Sequence, residues 1–226
     1  MATTTIYAEN TDGYVNKTST SDFTSARDAA TGSSYSSSSI ANSVSVTAHR
    51  YASRGGGNTW QVWRSFFMFD TSSISDATDV KLYLLGAGSY AGDFAVARST
   101  AGSTLSTSDF NEIHGWSGAG SLADESSNVT LLASKVEATS SWNSYPNSHN
   151  EIDLNSAALA LVNAGSSLDL VCLNWDYDLV GADPGTNTDT RIGLNYADYS
   201  GTSRDPYIIV TTPDVRVNAI FFGTNF

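Results

Sequence analysis

The residues able to do chemistry are few. His49, His114 and His149 are the three histidines, and none stands at metal-ligand spacing from another or beside a cysteine. The single cysteine, Cys172, cannot close an internal disulfide. Asp176, Asp178 and Asp183 gather in one segment after Trp175. Two acids facing each other across a cleft would suit glycoside hydrolysis. Hard oxygen ligands would suit calcium, although the segment does not follow the EF-hand register. The plain reading is that all three are solvated turn residues, and they stand as the calcium candidates. Arg54-Gly-Gly-Gly-Asn58 lacks the lysine and the following helix of a phosphate cradle and reads as a hairpin tip. Among the aromatics, Trp63 and Trp175 fall inside apolar runs and read as core. Trp60, Trp116 and Trp142 fall in Gly-, Ser- or Asn-rich stretches and are the candidates for stacking on sugar rings. No nucleophile elbow or other catalytic constellation is present, so no enzyme, catalytic residue or cofactor is expected.

The background that carries these residues is acidic and poor in charge. Of 226 residues, 11 are basic and 23 acidic, for a net charge of −12, and only 15% are charged. Lysine occurs at Lys17, Lys81 and Lys135 alone, and the arginines are scattered. There is no basic stripe to displace counterions from a nucleic acid or to hold an anionic membrane, so neither is an expected partner. No apolar run reaches the length of a membrane-spanning helix. Ser and Thr make up about a quarter of the chain, a composition that favours strands, since Thr packs on a pleated surface and Ser competes with helical hydrogen bonds.

Short apolar runs separated by Gly, Asn, Asp and Ser predict strands at residues 4–8, 13–16, 43–49, 62–70, 80–85, 94–98, 129–132, 151–154, 168–175, 191–196 and 207–212. Val80-Lys-Leu82-Tyr-Leu84 alternates and predicts one buried and one solvated face. Residues 64–70 and 168–175 are nearly continuous and read as central strands. Residues 155–165 predict a helix that opens on Asn155 and closes on Gly165. Residues 106–113 predict a second, short one, with Ser106 and Asp109 as a capping-box variant. The serine-rich stretch 30–39 reads as an exposed loop, with the polar edge of a sandwich as the other reading. One domain is expected over residues 1–213.

Beyond Pro213 the chain changes character. Residues 214–226 carry Val215, Val217, Ile220, Phe221, Phe222 and Phe226, side chains that each gain roughly 1.5–3 kcal/mol on full burial. Either the tail folds back as a further strand, or it docks on a neighbouring subunit by strand addition.

Several segments resemble the DNRLRE-type domain: Thr11-Asp-Gly-Tyr-Val15; Arg64-Ser-Phe-Phe-Met-Phe-Asp-Thr-Ser-Ser-Ile74 with Ala77-Thr-Asp-Val-Lys-Leu-Tyr-Leu84; Ile152-Asp-Leu-Asn155 with the helix after it; and Arg204-Asp-Pro-Tyr-Ile-Ile-Val210. The resemblance implies an all-β fold, an antiparallel jelly-roll β-sandwich with one or two short helices, related to carbohydrate-binding modules. Such domains occur as sugar-binding modules, in adhesins and surface layers, and in bacteriophage virions. Met1-Ala-Thr-Thr-Thr-Ile6 has no signal character, so the expectation is a virion protein made in the host cytoplasm. It would decorate a capsid or form part of a fibre, with capsid or fibre subunits as partners and a homo-oligomer, a trimer by analogy, as its state. The alternative is a module that recognises polysaccharide through Trp60, Trp116 and Trp142.

Overall fold

The computed structural model describes all residues except 38–40, 53–54, 119, 139–141, 145, 187, 189, 198–199 and 215–226. In chain order the strands are β1 (Ala2–Tyr7), β2 (Gly13–Ser19), β3 (Ser34–Ser36), β4 (Ala41–Ala52), β5 (Asn58–Asp70), β6 (Asp79–Leu84), β7 (Gly86–Tyr90), β8 (Gly92–Arg98), β9 (Val136–Ala138), β10 (Asn150–Asp153), β11 (Ser167–Asn174), β12 (Ile192–Asn195) and β13 (Tyr207–Thr212). Two α-helices, α1 (Phe23–Arg27) and α2 (Ser156–Asn163), a 3-10 turn (Thr107–Asn111) and a π-turn (Trp175–Leu179) complete the elements.

All strand pairs are antiparallel and form two sheets. The smaller has the order β1-β13-β6-β10. The larger runs β7-β12-β4-β5-β11-β8-β9, with β2 on β5 and β3 on β2. Trp60 to Trp63 pair with both β2 and β4, and Ser65 and Phe66 with both β2 and β11. It follows that β4 and β11 lie along the same edge of β5, one after the other. The expected all-β sandwich is therefore present, with β5 as its longest strand and centre.

Alternation along the strands builds two cores, one on each face of the larger sheet. Phe67 and Phe69 of β5, Leu168, Leu170 and Cys172 of β11, and Phe94 and Val96 of β8 face the smaller sheet. There they meet Leu82, Leu84, Ile152, Ile208 and Val210. The intervening residues, Val62 and Phe66, Val171 and Leu173, Ala95 and Ala97, face the other way. A layer of short helices and loops covers them with Phe23, Ala26, Leu105, Phe110, Ile113, Val129 and Leu179. Burial on both faces explains why the central strands read as continuous apolar runs.

Helix α2 follows the expected caps. The Asn155 side chain accepts from the N–H groups of Ala157 and Ala158 at 2.9 and 3.3 Å, and Gly165 takes the left-handed φ of 70° just past the end. Ser106 and Asp109 close the capping box, although the element is a 3-10 turn. Residues 129–132 depart from expectation. They run beside β8 through isolated bridges, the Arg98 N–H to the Thr130 carbonyl and the Leu132 N–H to that of Val96, while β9 takes the rest of that edge. Helix α1, β7 and β9 were not predicted, and β3 falls in the stretch read as an exposed loop or as the polar edge of a sandwich. The serine-rich stretch contributes β3 to the sheet edge, where Gly13 is required. A Cβ there would lie 2.0 Å from the Ser36 carbonyl oxygen. Asn58 pairs with Ala52, so the glycine run is the β4–β5 hairpin tip.

Candidate functional site

Two places on this scaffold concentrate polar and aromatic side chains. The first lies under the loop layer. Arg64 points from β5 into the second core and is fully buried. Its Nε and Nη2 donate to Asp178 Oδ2 and Oδ1 at 2.8 and 2.7 Å, and Nη1 donates to the Phe110 carbonyl at 2.7 Å. Nη2 also reaches the carbonyl of Arg27 at 3.0 Å. Arg27, at the end of α1 and equally buried, donates to the carbonyls of Asp178, Ser121, Ala123 and Leu179 and to Asp28 Oδ1. The Trp116 ring lies 4.7 Å from the Arg27 guanidinium and 4.4 Å from that of Arg64, and Phe110 packs 4.2 Å from the latter. Nearby Glu125, also buried, accepts from the Ser117 hydroxyl and from Asn128 Nδ2 at 3.0 Å. Burial works against its charge, but these bonds and Arg27 together hold its pKa below the usual carboxylate range. Asp28 is pushed the other way, its burial outweighing the neighbouring Arg27.

This cluster is a joint rather than a cleft. The loops over the sheet cannot satisfy their carbonyls in a ladder, and guanidinium groups, with five donors in a rigid fork, do so without solvent. It also takes up two sequence candidates, Asp178 and Trp116. Asp178 is buried rather than a solvated turn residue, and both of its carboxylate oxygens accept from Arg64. Asp176 and Asp183 are exposed and do not join it. Among the described residues, no group of three or more His, Cys, Asp or Glu side chains is placed to hold a metal ion.

The tryptophans are likewise rearranged. Trp142 is 8% exposed and meets Phe94 edge-on at 5.5 Å inside the sandwich. Trp60 is also 8% exposed, within β5, with Arg50 over its ring at 5.5 Å. Trp116 is half-buried on the arginines. Trp60 and Trp116 therefore lie on one face of the larger sheet and Trp142 on the other. Trp63 and Trp175, expected in the core, are only partly buried, Trp63 against Tyr14 with ring centroids 4.8 Å apart.

The second place is the outer face of the smaller sheet. Register sets Tyr7 opposite Tyr207, Tyr207 opposite Tyr83, and Tyr83 opposite Glu151 in one row across all four strands. Tyr83 and Tyr207 stack at 4.6 Å with planes 10° apart, Tyr7 leans on Tyr207 at 5.7 Å, and His149 meets it at 4.9 Å. A stacking distance equal to the strand spacing means that the rings stand edge-on from the sheet and cover each other's faces. The Tyr83 hydroxyl donates to Glu151 Oε2 at 2.7 Å, and Lys81 bonds Glu151 and reaches Asp153 at 3.2 Å. Burial, with the Glu151 bond, pushes the Tyr83 pKa up to about 12, while Lys81 and then Tyr83 lower that of Glu151. The signal for this row was present in the alternation of Thr3-Thr-Thr5-Ile-Tyr7 and Lys81-Leu-Tyr83. What was missing was the register.

The same sheet carries the first and the last described strands, β1 and β13. Ala2 pairs with Thr212, so β1 begins where β13 finishes, at the outer edge. Beside them is a cleft of about 510 Å³ lined by Thr4, Ser73, Ile74, Ser75, Asp76, Thr212 and Pro213. The tail candidates Val215, Val217, Ile220, Phe221, Phe222 and Phe226 lie outside the described residues.

Fold and site together define the class as an antiparallel β-sandwich with a tyrosine row on the outer face of its smaller sheet. No protein-family model matches the chain, and no curated protein matches its sequence.

Proposed function

We propose that the chain is a non-enzymatic structural subunit of a bacteriophage particle, a sandwich body that joins neighbouring virion proteins through its chain ends. The observation that carries this reading is the placement of those ends. Thr212 lies across from Ala2 on the outermost pair of the smaller sheet, and the apolar stretch 214–226 follows at once. Thr212 and Pro213 therefore lie next to an exposed strand and a cleft, a position suited to contact with a neighbour. The polar residues of the buried cluster are spent on holding loops, which fits a body built for persistence more than for turnover. The resemblance to DNRLRE-type domains supports the same reading.

The test is incorporation. A chain truncated after Pro213 should keep the cooperative unfolding of the sandwich, measured by circular dichroism in urea, and should be lost from gradient-purified phage particles that take up the full chain. Normal uptake of the truncated chain would overturn the proposal.

A further inference from the structure

The edges of the two sheets are not equally guarded. Unpaired edge strands invite association, and proteins blunt them with charge, short length, glycine or irregularity. Edge strand β10 carries Glu151 and Asp153 with Lys81 bonded to both. Strands β3 and β9 have three residues each, and β9 contains Glu137. Strand β7 holds Gly86 and Gly88, and its register with β12 is broken. Strand β1 has none of these devices. Its six residues, Ala-Thr-Thr-Thr-Ile-Tyr, contain no charge, proline or glycine, and they keep an unbroken register with β13.

The hydrogen-bonding parity of β1 is settled at its end. The Ala8 N–H donates to the Pro206 carbonyl at 2.9 Å, so the even-numbered residues of β1 bond to β13. The N–H and C=O groups of Thr3, Thr5 and Tyr7 therefore point away from the sheet, and none bonds to another described residue. All of β1 except Ile6 is exposed, including Ala2 and Thr4 on the inner face.

We propose that β1 is a self-association edge, at which two copies of this chain pair β1 antiparallel about a twofold axis and join their smaller sheets into one. Pairs in such a ladder must match outward-facing residues, odd with odd. The register of greatest overlap sets Thr5 against Thr5 of the partner subunit, and Thr3 against Tyr7 of the partner subunit, each pair exchanging both main-chain hydrogen bonds. Thr3, Thr5 and Tyr7 share the outer face, so threonine packs beside the Tyr7 ring and prolongs the tyrosine row. A net charge of −12 on each copy opposes association, and contact is feasible only where the surface is uncharged. The β1 strand itself carries no charge; Asp76 lines the cleft beside Thr4, and Lys81, Glu151 and Asp153 lie beyond β13. This pairing is isologous and closes at two copies. It does not rest on the particle reading.

Sedimentation equilibrium tests it, on the full chain, on a chain ending at Pro213, and on Thr5→Pro and Thr5→Lys. The Thr5 N–H faces away from β13, so proline there spares the native ladder, while Thr5→Lys leaves the backbone intact and sets like charges opposite each other. The full and truncated chains should dimerise, more strongly as salt screens the net charge. Both Thr5 variants should weaken dimerisation at least about tenfold with unchanged circular dichroism. A monomeric full chain, dimerisation unaffected by Thr5→Lys, or its loss on removing residues 214–226 would overturn the proposal, the last by making the tail the occupant of the edge.

Discussion

The larger sheet buries both faces by different means. Toward the smaller sheet, strand meets strand, backbone groups are already paired in ladders, and the space is filled by Phe67, Phe69, Phe94, Leu82, Leu84 and Leu170. Few polar groups intrude, among them the Tyr196 hydroxyl, which lies 2.8 Å from that of Ser65. Toward the loop layer the covering chain is irregular, so its carbonyls need donors. Arg27 and Arg64 supply them, with Asp178 as counter-ion and Trp116 as lid. One face is held by area removed from water and the other by a desolvated network. A network of this kind adds specificity of docking more than net stability, because burying its charges costs much of what the contacts return.

The sharpest way to break this comparison is at Arg64. Arg64→Met should cost about 3–5 kcal/mol in urea unfolding, because it strands the Asp178 carboxylate in the interior. Adding Asp178→Leu should recover part of that loss by removing the unpaired charge. If the double variant is as unstable as the single one, the carbonyl contacts to Phe110 and Arg27 outweigh the ion pair.

On the opposite face, Leu82→Ala should cost about 2–5 kcal/mol through lost contacts and a residual cavity. Hydrogen exchange separates the two cases. Arg64→Met should release protection in residues 105–131 ahead of the strands, whereas Leu82→Ala should lower protection in both layers together.

The smallest expected effect concerns His149, which bridges the smaller sheet and the Asp205 carbonyl at 3.0 Å. Burial, against the opposing Asp205 bond, holds its pKa below the ordinary 6.5. The folded state therefore resists a proton that the unfolded chain accepts. Stability from this group is intact above pH 6.5 and declines as pH falls toward the lower, folded-state value. Urea midpoints measured across that range should show a shallower decline for His149→Gln than for the parent.

Much of the framework was legible from local pattern. Alternation at Val80, Leu82 and Leu84 marked a strand with one buried face, the doubly apolar runs at Phe66–Phe67 and Val171–Leu173 marked central strands, and Asn155 with Gly165 bounded α2. The sites were less legible. Arg64 and Asp178 are 114 residues apart, and nothing near either one signals a partner. Tryptophans in polar stretches read as exposed, yet Trp142 is covered, packed edge-on against Phe94 in the core between the sheets. Strand β7 was missed because Gly86 and Gly88 interrupt its pattern, and β9 because it has only three residues.

What the amino-acid sequence determined on its own is the central strands, the caps of α2, and an acidic, hydroxyl-rich exterior, since each depends on neighbours within a few residues. Only the tertiary structure decided which charges are buried, which aromatics stand in a row, and which edge is left open. Those depend on register and layer order, which bring together groups that local spacing cannot relate.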